Sequence, residues 1–379
     1  MKAVRIDYDT DVVKHLVRYE GWLNAVKERK KLVAAAQKAK KRDQGLTYFT
    51  FCASSAIDVF MLEKVNLLRR DPETDRLKNV YFCEGEEAEF MKIASMIGST
   101  DAGFMEIFED FVLFQDDHHT RGRDDYDPSR PVPNAAEIRR KFNCKRMHKQ
   151  FLELHPFDVV NLDLYGNLFP PKGEVFSRMF ETIERVFEMQ KRKSSADEHT
   201  IDGFTLFLTV YVSKEDFHEQ VIGQLLDTAT DNMAHKELKA AFKVRYPHGD
   251  PSQLVEDDFP TFFSIILPKV VAELACNHGW FGSHKQIYLY GRQGKKGYHM
   301  MNSAVSYERL PDNSHLPGPK RKQHFLSKYI PEIAEIFRSM PIDVDARLKA
   351  GGAPLMKEVS DHLAATIAFR EKRISERSE

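Results

Sequence analysis

Residues 204–213 read FTLFLTVYVS, a run that is apolar at nearly every position and rich in aromatic and β-branched side chains. A strand with one wet face alternates apolar and polar residues. A continuous run must be covered on both faces, as in a parallel sheet flanked by helices. Four further stretches read as strands: Leu46–Phe51, Asn79–Glu87, Phe108–Asp117 and Asp158–Leu162. Helical patterns lie between them. In the clearest, Val175, Met179, Phe180, Ile183, Val186 and Phe187 recur at the 3.6-residue period of one helix face. Strands alternating with helices predict an α/β fold built on a mostly parallel sheet.

After the fifth strand the order changes. Residues 214–256 read as a helical insertion. FPTFFSIILPKVVAELACNHG then predicts a buried helix, bent before Pro268. From His284 to Leu310, two runs of strand composition flank the glycine-rich GRQGKKG, which predicts an antiparallel hairpin. The tip carries Arg292, Lys295 and Lys296 but precedes no helix, so it is not a phosphate loop. The Asp116–Asn134 stretch is polar and proline-rich, hence a loop. The 379 residues therefore divide into a basic helical extension (1–44), an α/β domain (45–310) and a helical C-terminal extension (311–379).

Fifty-six basic residues against 57 acidic ones leave no global field, so an anionic partner would have to be met by local patches. Cys52, Cys83, Cys144 and Cys276 are far apart and form no C-x-x-C pair, which speaks against a zinc knuckle and a secreted disulfide framework. His118 and His119 beside Asp116 and Asp117 are neighbours in sequence. Such residues rarely converge on one ion, so no metal site is expected. No apolar run is expected to approach the length of a membrane span, and the N-terminus carries charges where a signal peptide would be apolar. The expectation is a cytoplasmic protein.

In open α/β sheets, ligands bind beyond the carboxyl ends of the strands. The first strand ends on the small residues Cys52, Ala53, Ser54 and Ser55, with Asp58 just inside the next helix. The second ends on Glu84 and Gly85, the third stretch near Asp116, and the fourth on Asp163-Leu164-Tyr165-Gly166. Five parallel strands closed by a hairpin resemble the class I methyltransferase fold, a Rossmann-like fold that binds S-adenosylmethionine. The resemblance covers residues 46 to about 310. DLYG (Asp163–Gly166) is similar to the Asp-Pro-Pro-Tyr-like motif of amino-methyltransferases. It is closest to the Asp-Pro-Phe-Gly or Asp-Pro-Tyr-Gly versions of the tRNA guanine dimethyltransferases and the bacterial three-Cys-motif partner proteins. Leu164 stands where those have proline.

The resemblance implies that Asp163 accepts the hydrogens of an acceptor amine and that Tyr165 stacks on a base taken out of its helix. It implies cofactor contacts from Cys52, Ala53 and Ser54, from Asp58 as an extra acceptor, from Glu84 on the ribose and from Asp116 near the adenine. Two basic runs point to nucleic acid. Lys27–Arg42 includes Lys30, Lys31 and Lys38, and RRKFNCKRMHK includes Arg139, Arg140 and Arg146. The expected activity is N-methylation of a base in DNA or RNA. The glycine-free first loop and Leu164 admit an alternative: a catalytically inactive subunit with the same fold, binding nucleic acid or a protein partner in an operon-encoded modification or defence complex.

Overall fold

A computed structural model of the chain describes residues 11–39, 45–53, 55–114, 135–164, 178–191, 202–214, 217–247, 250–291, 300–310 and 318–378. The chain opens with α1 (Val12–Leu16), a π-helical stretch (Val17–Trp22) and α2 (Leu23–Ala39). There follow β1 (Tyr48–Thr50), α3 (Ile57–Lys64), β2 (Val80–Cys83), α4 (Glu87–Ile97), β3 (Gly103–Phe104), α5 (Phe108–Val112), α6 (Ala135–Leu154), β4 (Val159–Asp163), α7 (Arg178–Gln190) and β5 (Gly203–Tyr211). Four helices come next: α8 (Glu219–Met233), α9 (Lys236–Arg245), α10 (Pro251–Asp257) and α11 (Phe259–Asn277). The chain closes with β6 (Trp280–Tyr290), β7 (Met300–Arg309), α12 (Gly318–Arg338), β8 (Ile342–Asp343) and α13 (Val344–Ser378).

The strands form one sheet in the order β3-β2-β1-β4-β5-β7-β6-β8. β1 to β5 run parallel, and β7 runs antiparallel to both β5 and β6. The hairpin therefore folds back so that its second strand lies against β5. This is an α/β fold with a mostly parallel mixed sheet, compatible with a Rossmann-like arrangement. Helices cover both faces, which is why the central strands need no polar side.

The two-residue period of the strands sorts side chains between two cores. Val160, Leu162, Leu206, Leu208 and Val210 join α5, α6, α7 and α11 on one face. Tyr48, Val80, Phe82, Val159 and Phe207 join the N-terminal helix, α3, α4 and α13 on the other. The N-terminal and C-terminal helical segments thus contribute to the same core as the sheet.

Two sequence expectations are corrected. The third strand is Gly103–Phe104, paired with Phe82 and Cys83, and not the Phe108–Asp117 stretch. Phe108, Phe111 and Val112 lie three and four positions apart, which is helical spacing, and all three are buried in α5. α11 is the expected buried helix and carries Pro268 in its interior. It is also long and apolar enough to cross a membrane by length and composition, with 72% of that stretch buried inside the fold.

Candidate functional site

The carboxyl ends of β2, β1 and β4 lie side by side. Thr50 is in register with Phe82 on one side and Asn161 on the other. Cys52 and Glu84 follow the ends of β1 and β2, and Asp163 closes β4, so all three lie at the carboxyl edge of adjacent strands. Cys52 joins the core on the face carrying α3 and the N-terminal helix, and Asp163 meets Lys14 of that helix.

Asp163 is the last residue of β4. Its Oδ2 lies 2.6 Å from Lys14 Nζ, and both side chains are over 90% buried (9% and 6% exposed). The N-terminal helix runs against the direction of β4. Lys14 sits at the strand's end, while Arg29 pairs with Asp158 just before its start, at 3.2 Å. Fifteen helical residues (29 − 14) span roughly 22 Å and five extended ones (163 − 158) roughly 17 Å. The two pairs therefore brace the helix along nearly the whole strand. Between them, the π-helical stretch takes Val17 and Trp22, five apart and both buried, onto the sheet. Trp22 stacks on Phe207 and donates through Nε1 to Asn302 Oδ1 at 3.1 Å; Asn302 in turn donates to Thr209 Oγ1 at 2.8 Å.

Leu164, at the position of the motif's proline, donates its N–H to Thr209 O at 3.0 Å. A proline has no N–H to give there, so leucine extends the β4–β5 ladder by one bond. Tyr165 lies outside the described residues, as do Ser54, Asp116 and the hairpin tip with Arg292, Lys295 and Lys296.

In the first loop, Cys52 is buried and Ala53 half-buried. Ala53 O accepts from Ala56 N at 2.8 Å, closing a tight turn. Ala56 takes the left-handed conformation (φ 46°, ψ 34°) that glycine usually supplies. The turn into α3 is therefore made without glycine, by a side chain small enough to bear a strain of about 1–2 kcal/mol. Ser55 O accepts from Arg370 Nη1 of α13 at 3.3 Å.

Asp58 is buried under the sheet. Its Oδ2 accepts from Tyr48 Oη (2.7 Å), Thr50 Oγ1 (2.9 Å) and Asn161 Nδ2 (3.4 Å). Burial, with the Asp58 carboxylate adding to it, pushes the Tyr48 phenol well above its ordinary value. Asp58 thus ties β1 and β4 together at the root of the loop. Glu84 is half-buried and accepts from Glu86 N through Oε1 at 2.9 Å, which orders the turn into α4.

The two basic runs are separated. α2 leaves the site toward the amino ends of the strands. Lys30 there donates to Asn66 O, and Lys31 is exposed. Lys38 ends up near the close of α2, and its side chain lies outside the described residues. α6 begins at the carboxyl edge, where Arg140 pairs with Asp110 and approaches Glu106, the residue whose carbonyl accepts from Cys83 Sγ. Arg139, Lys145, Arg146 and Lys149 are exposed along α6, and Phe142 among them is 69% exposed.

Sequence reasoning missed two residues here. Phe142 was legible as the one aromatic inside RRKFNCKR. Lys14 gave only the signal of a lysine inside an apolar helical face. All four cysteines are buried, and burial pushes the Cys83 thiol well up and Cys276 to about 12. Among the described residues, no group of three His, Cys, Asp or Glu could hold a metal ion.

α1 is also tied to α13. His15 Nε2 meets His362 Nδ1 at 2.9 Å, and Tyr19 Oη donates to Glu358 at 2.7 Å. One histidine must accept while the other donates, so a proton on both breaks the bond. Burial lowers the His362 pKa, with the Lys64 and Lys27 charges adding to it and Glu358 opposing. A depressed folded-state value means that its contribution is present above the ordinary value of 6.5 and is lost as pH falls through the folded value. Protection of the α1 amides from hydrogen exchange, taken relative to the intrinsic rate at each pH, is expected to fall on acidification from about pH 7.5 to about pH 5, and His362→Gln should flatten that dependence. Equal loss of protection in both proteins would remove His362 as the cause.

A family model described as PP_RS20740-like matches residues 143–260, which include Asp163 but neither Lys14, the first loop nor Glu84. No curated protein and no solved structure matches the chain.

Proposed function

We propose that the chain is a methyltransferase of the class I type that uses S-adenosylmethionine and acts on an exocyclic amine of a base in RNA or DNA. The observation that carries the reading is Asp163 at the carboxyl end of the fourth parallel strand, one strand from the β1 turn and two from Glu84. Five parallel strands closed by an antiparallel hairpin support the same reading.

The residues at the strand ends fit the cofactor in two respects. Glu84 offers a partly exposed carboxylate at the end of β2. Ala53 and the left-handed Ala56 give a tight turn of small side chains at the end of β1. These residues would hold the ribose and the amino-acid end. Asp58 is engaged by Tyr48, Thr50 and Asn161, so its part is to position the loop from beneath.

S-adenosylmethionine, when bound, supplies an electrophilic methyl group. What the chain contributes is position and polarity. An exocyclic amine has its lone pair conjugated into the ring. A carboxylate oxygen of Asp163 that accepts an amine hydrogen returns electron density to that nitrogen. Burial of the carboxylate strengthens the interaction by excluding water. On the outside, Arg139, Lys145, Arg146 and Lys149 would meet phosphates, and Phe142 offers a face for a base.

Calorimetry with S-adenosylmethionine is the first test, and absence of binding with and without nucleic acid would sink the reading. Given binding, Asp163→Ala should abolish methyl transfer to a pool of RNA and DNA while cofactor affinity stays within a few-fold. In fluorescence anisotropy with short single-stranded oligonucleotides, Phe142→Ala should weaken binding roughly tenfold, the size of one lost stacking contact. Arg139→Glu with Arg146→Glu should weaken it further and flatten its salt dependence.

One observation favours a second reading. The carboxylate that the mechanism needs is already held by Lys14. A binding subunit with the same fold and no transfer activity would keep such a pair as a permanent brace. It would bind oligonucleotides and not the cofactor.

A further inference from the structure

Lys14 carries a primary amine into a place where the methyltransferase reading puts a substrate amine. Its Nζ lies 2.6 Å from Asp163 Oδ2, the hydrogen-bond relation that an acceptor nitrogen would adopt toward the same oxygen. Both partners are nearly fully buried, so the contact is not a casual surface pair. The segment that delivers Lys14 is short. α1 has five residues and passes at once into the π-helical stretch, a form of helix found mostly as single turns at functional sites. Gly21 in that stretch lies against the Tyr288 ring, where an added Cβ would come within 2.8 Å. The helix is thus fitted closely to the sheet from its π-helical turn onward. Ahead of that turn, α1 seats Leu16 in the core with Val12 and Val13 packed beside it, and its polar contacts run from Lys14 to Asp163 and from His15 to His362, with Tyr19 just behind them to Glu358.

We propose that Lys14 is a built-in occupant of the amine subsite, a pseudosubstrate that α1 must withdraw before an external amine can reach Asp163. The inference rests on the methyltransferase reading and adds to it that a group of the chain itself fills the amine subsite when no substrate is bound. It also assigns α1 the role of gate, with the π-helical stretch as the point behind which the helix stays docked. The apparent affinity for substrate is then reduced by the fraction of molecules in which α1 is open.

The test uses the full chain as wild type and as Lys14→Gln, a neutral side chain that can still bond Asp163. Cofactor affinity is measured by calorimetry and methyl transfer is measured with labelled S-adenosylmethionine on a pool of RNA and DNA. The expected result is cofactor affinity within about twofold and transfer raised about tenfold or more, as a mostly closed gate requires. Cofactor binding with equal or lower transfer would overturn the proposal and make Lys14 a positioning residue. Cofactor binding by neither protein would remove the methyltransferase reading, and the proposal with it.

Should Lys14→Gln fail to fold by circular dichroism, acetylation of wild-type lysines with a water-soluble amine reagent decides. Peptide mass spectrometry should show Lys14 slow beside exposed Lys31, and accelerated about tenfold by the nucleic-acid pool. Lys14 labelling that is fast from the start, or unchanged by the pool, would overturn it.

Discussion

Glu332→Gln is expected to stabilise the protein, by roughly 3 kcal/mol at pH 7. Glu332 sits on α12 with its carboxyl against the backbone of Gly282 in β6, almost wholly buried. Burial raises its pKa to about 8, the Glu335 charge adds to the rise, and the Gly282 backbone opposes it. Tyr307, Tyr329 and Cys276 face it, and each is itself pushed upward by burial and by the Glu332 charge. The folded chain therefore keeps a proton that the unfolded chain releases above the ordinary value of 4.5. Between those two values the folded state binds more protons, so stability falls as pH rises. Glutamine holds the shape and carries no proton to lose. In a chain of this length the gain corresponds to a rise in midpoint of roughly 4 °C. Melting curves from about pH 5 to about pH 9 check it: the variant's advantage should grow with pH. A variant that melts with the wild type across that range would show that Glu332 reaches water.

The second large effect is expected at Lys14 and Asp163. Lys14→Met leaves a buried carboxylate without its cation, and removing one partner of a buried pair costs about 3–5 kcal/mol. Asp163→Leu leaves the ammonium stranded and should cost a similar amount. The double variant replaces the pair with apolar side chains of comparable size and should return to within about 1 kcal/mol of wild type. Denaturant midpoints of the four proteins give the coupling directly. Single-variant losses that simply add in the double would mean that water screens the pair. The cycle measures stability alone, so it holds whatever the pair does in the site.

Much of this arrangement was legible in residues. The continuous apolar run of β5 and the aliphatic one of β4 required cover on both faces, and the GRQGKKG turn between two strand-like runs announced the β6–β7 hairpin. β3 was not legible, because two residues are too few to carry a period, while the nearby aromatic stretch has strand composition and helical spacing. Helix α11 was legible as a buried helix, because its run is apolar at most positions. In the site, Asp163 and Glu84 could be placed because both close strands. Asp58 reads as a loop acceptor from its position, yet three partners from β1 and β4 claim its oxygen. Lys14 was invisible because its meaning lies in a residue nearly 150 positions away (163 − 14), a pairing that no local pattern records.

The C-terminal helix also bears on how the chain reaches its fold. Arg370, Arg373 and Arg377 of α13 reach Ser55 in the first loop, Glu63 on α3, and the carbonyls of Ser95 and Met96 at the end of α4. His362 and Glu358 meet His15 and Tyr19 across separations of 347 and 339 residues. Lys14 and Arg29 of the same N-terminal helix find their partners on β4, so the helix can seat on the sheet without α13. Contacts as distant in sequence as the histidine pair close late and slowly. α13 therefore seals a helix that the strand has already placed, and the histidine pair is among the last contacts to form.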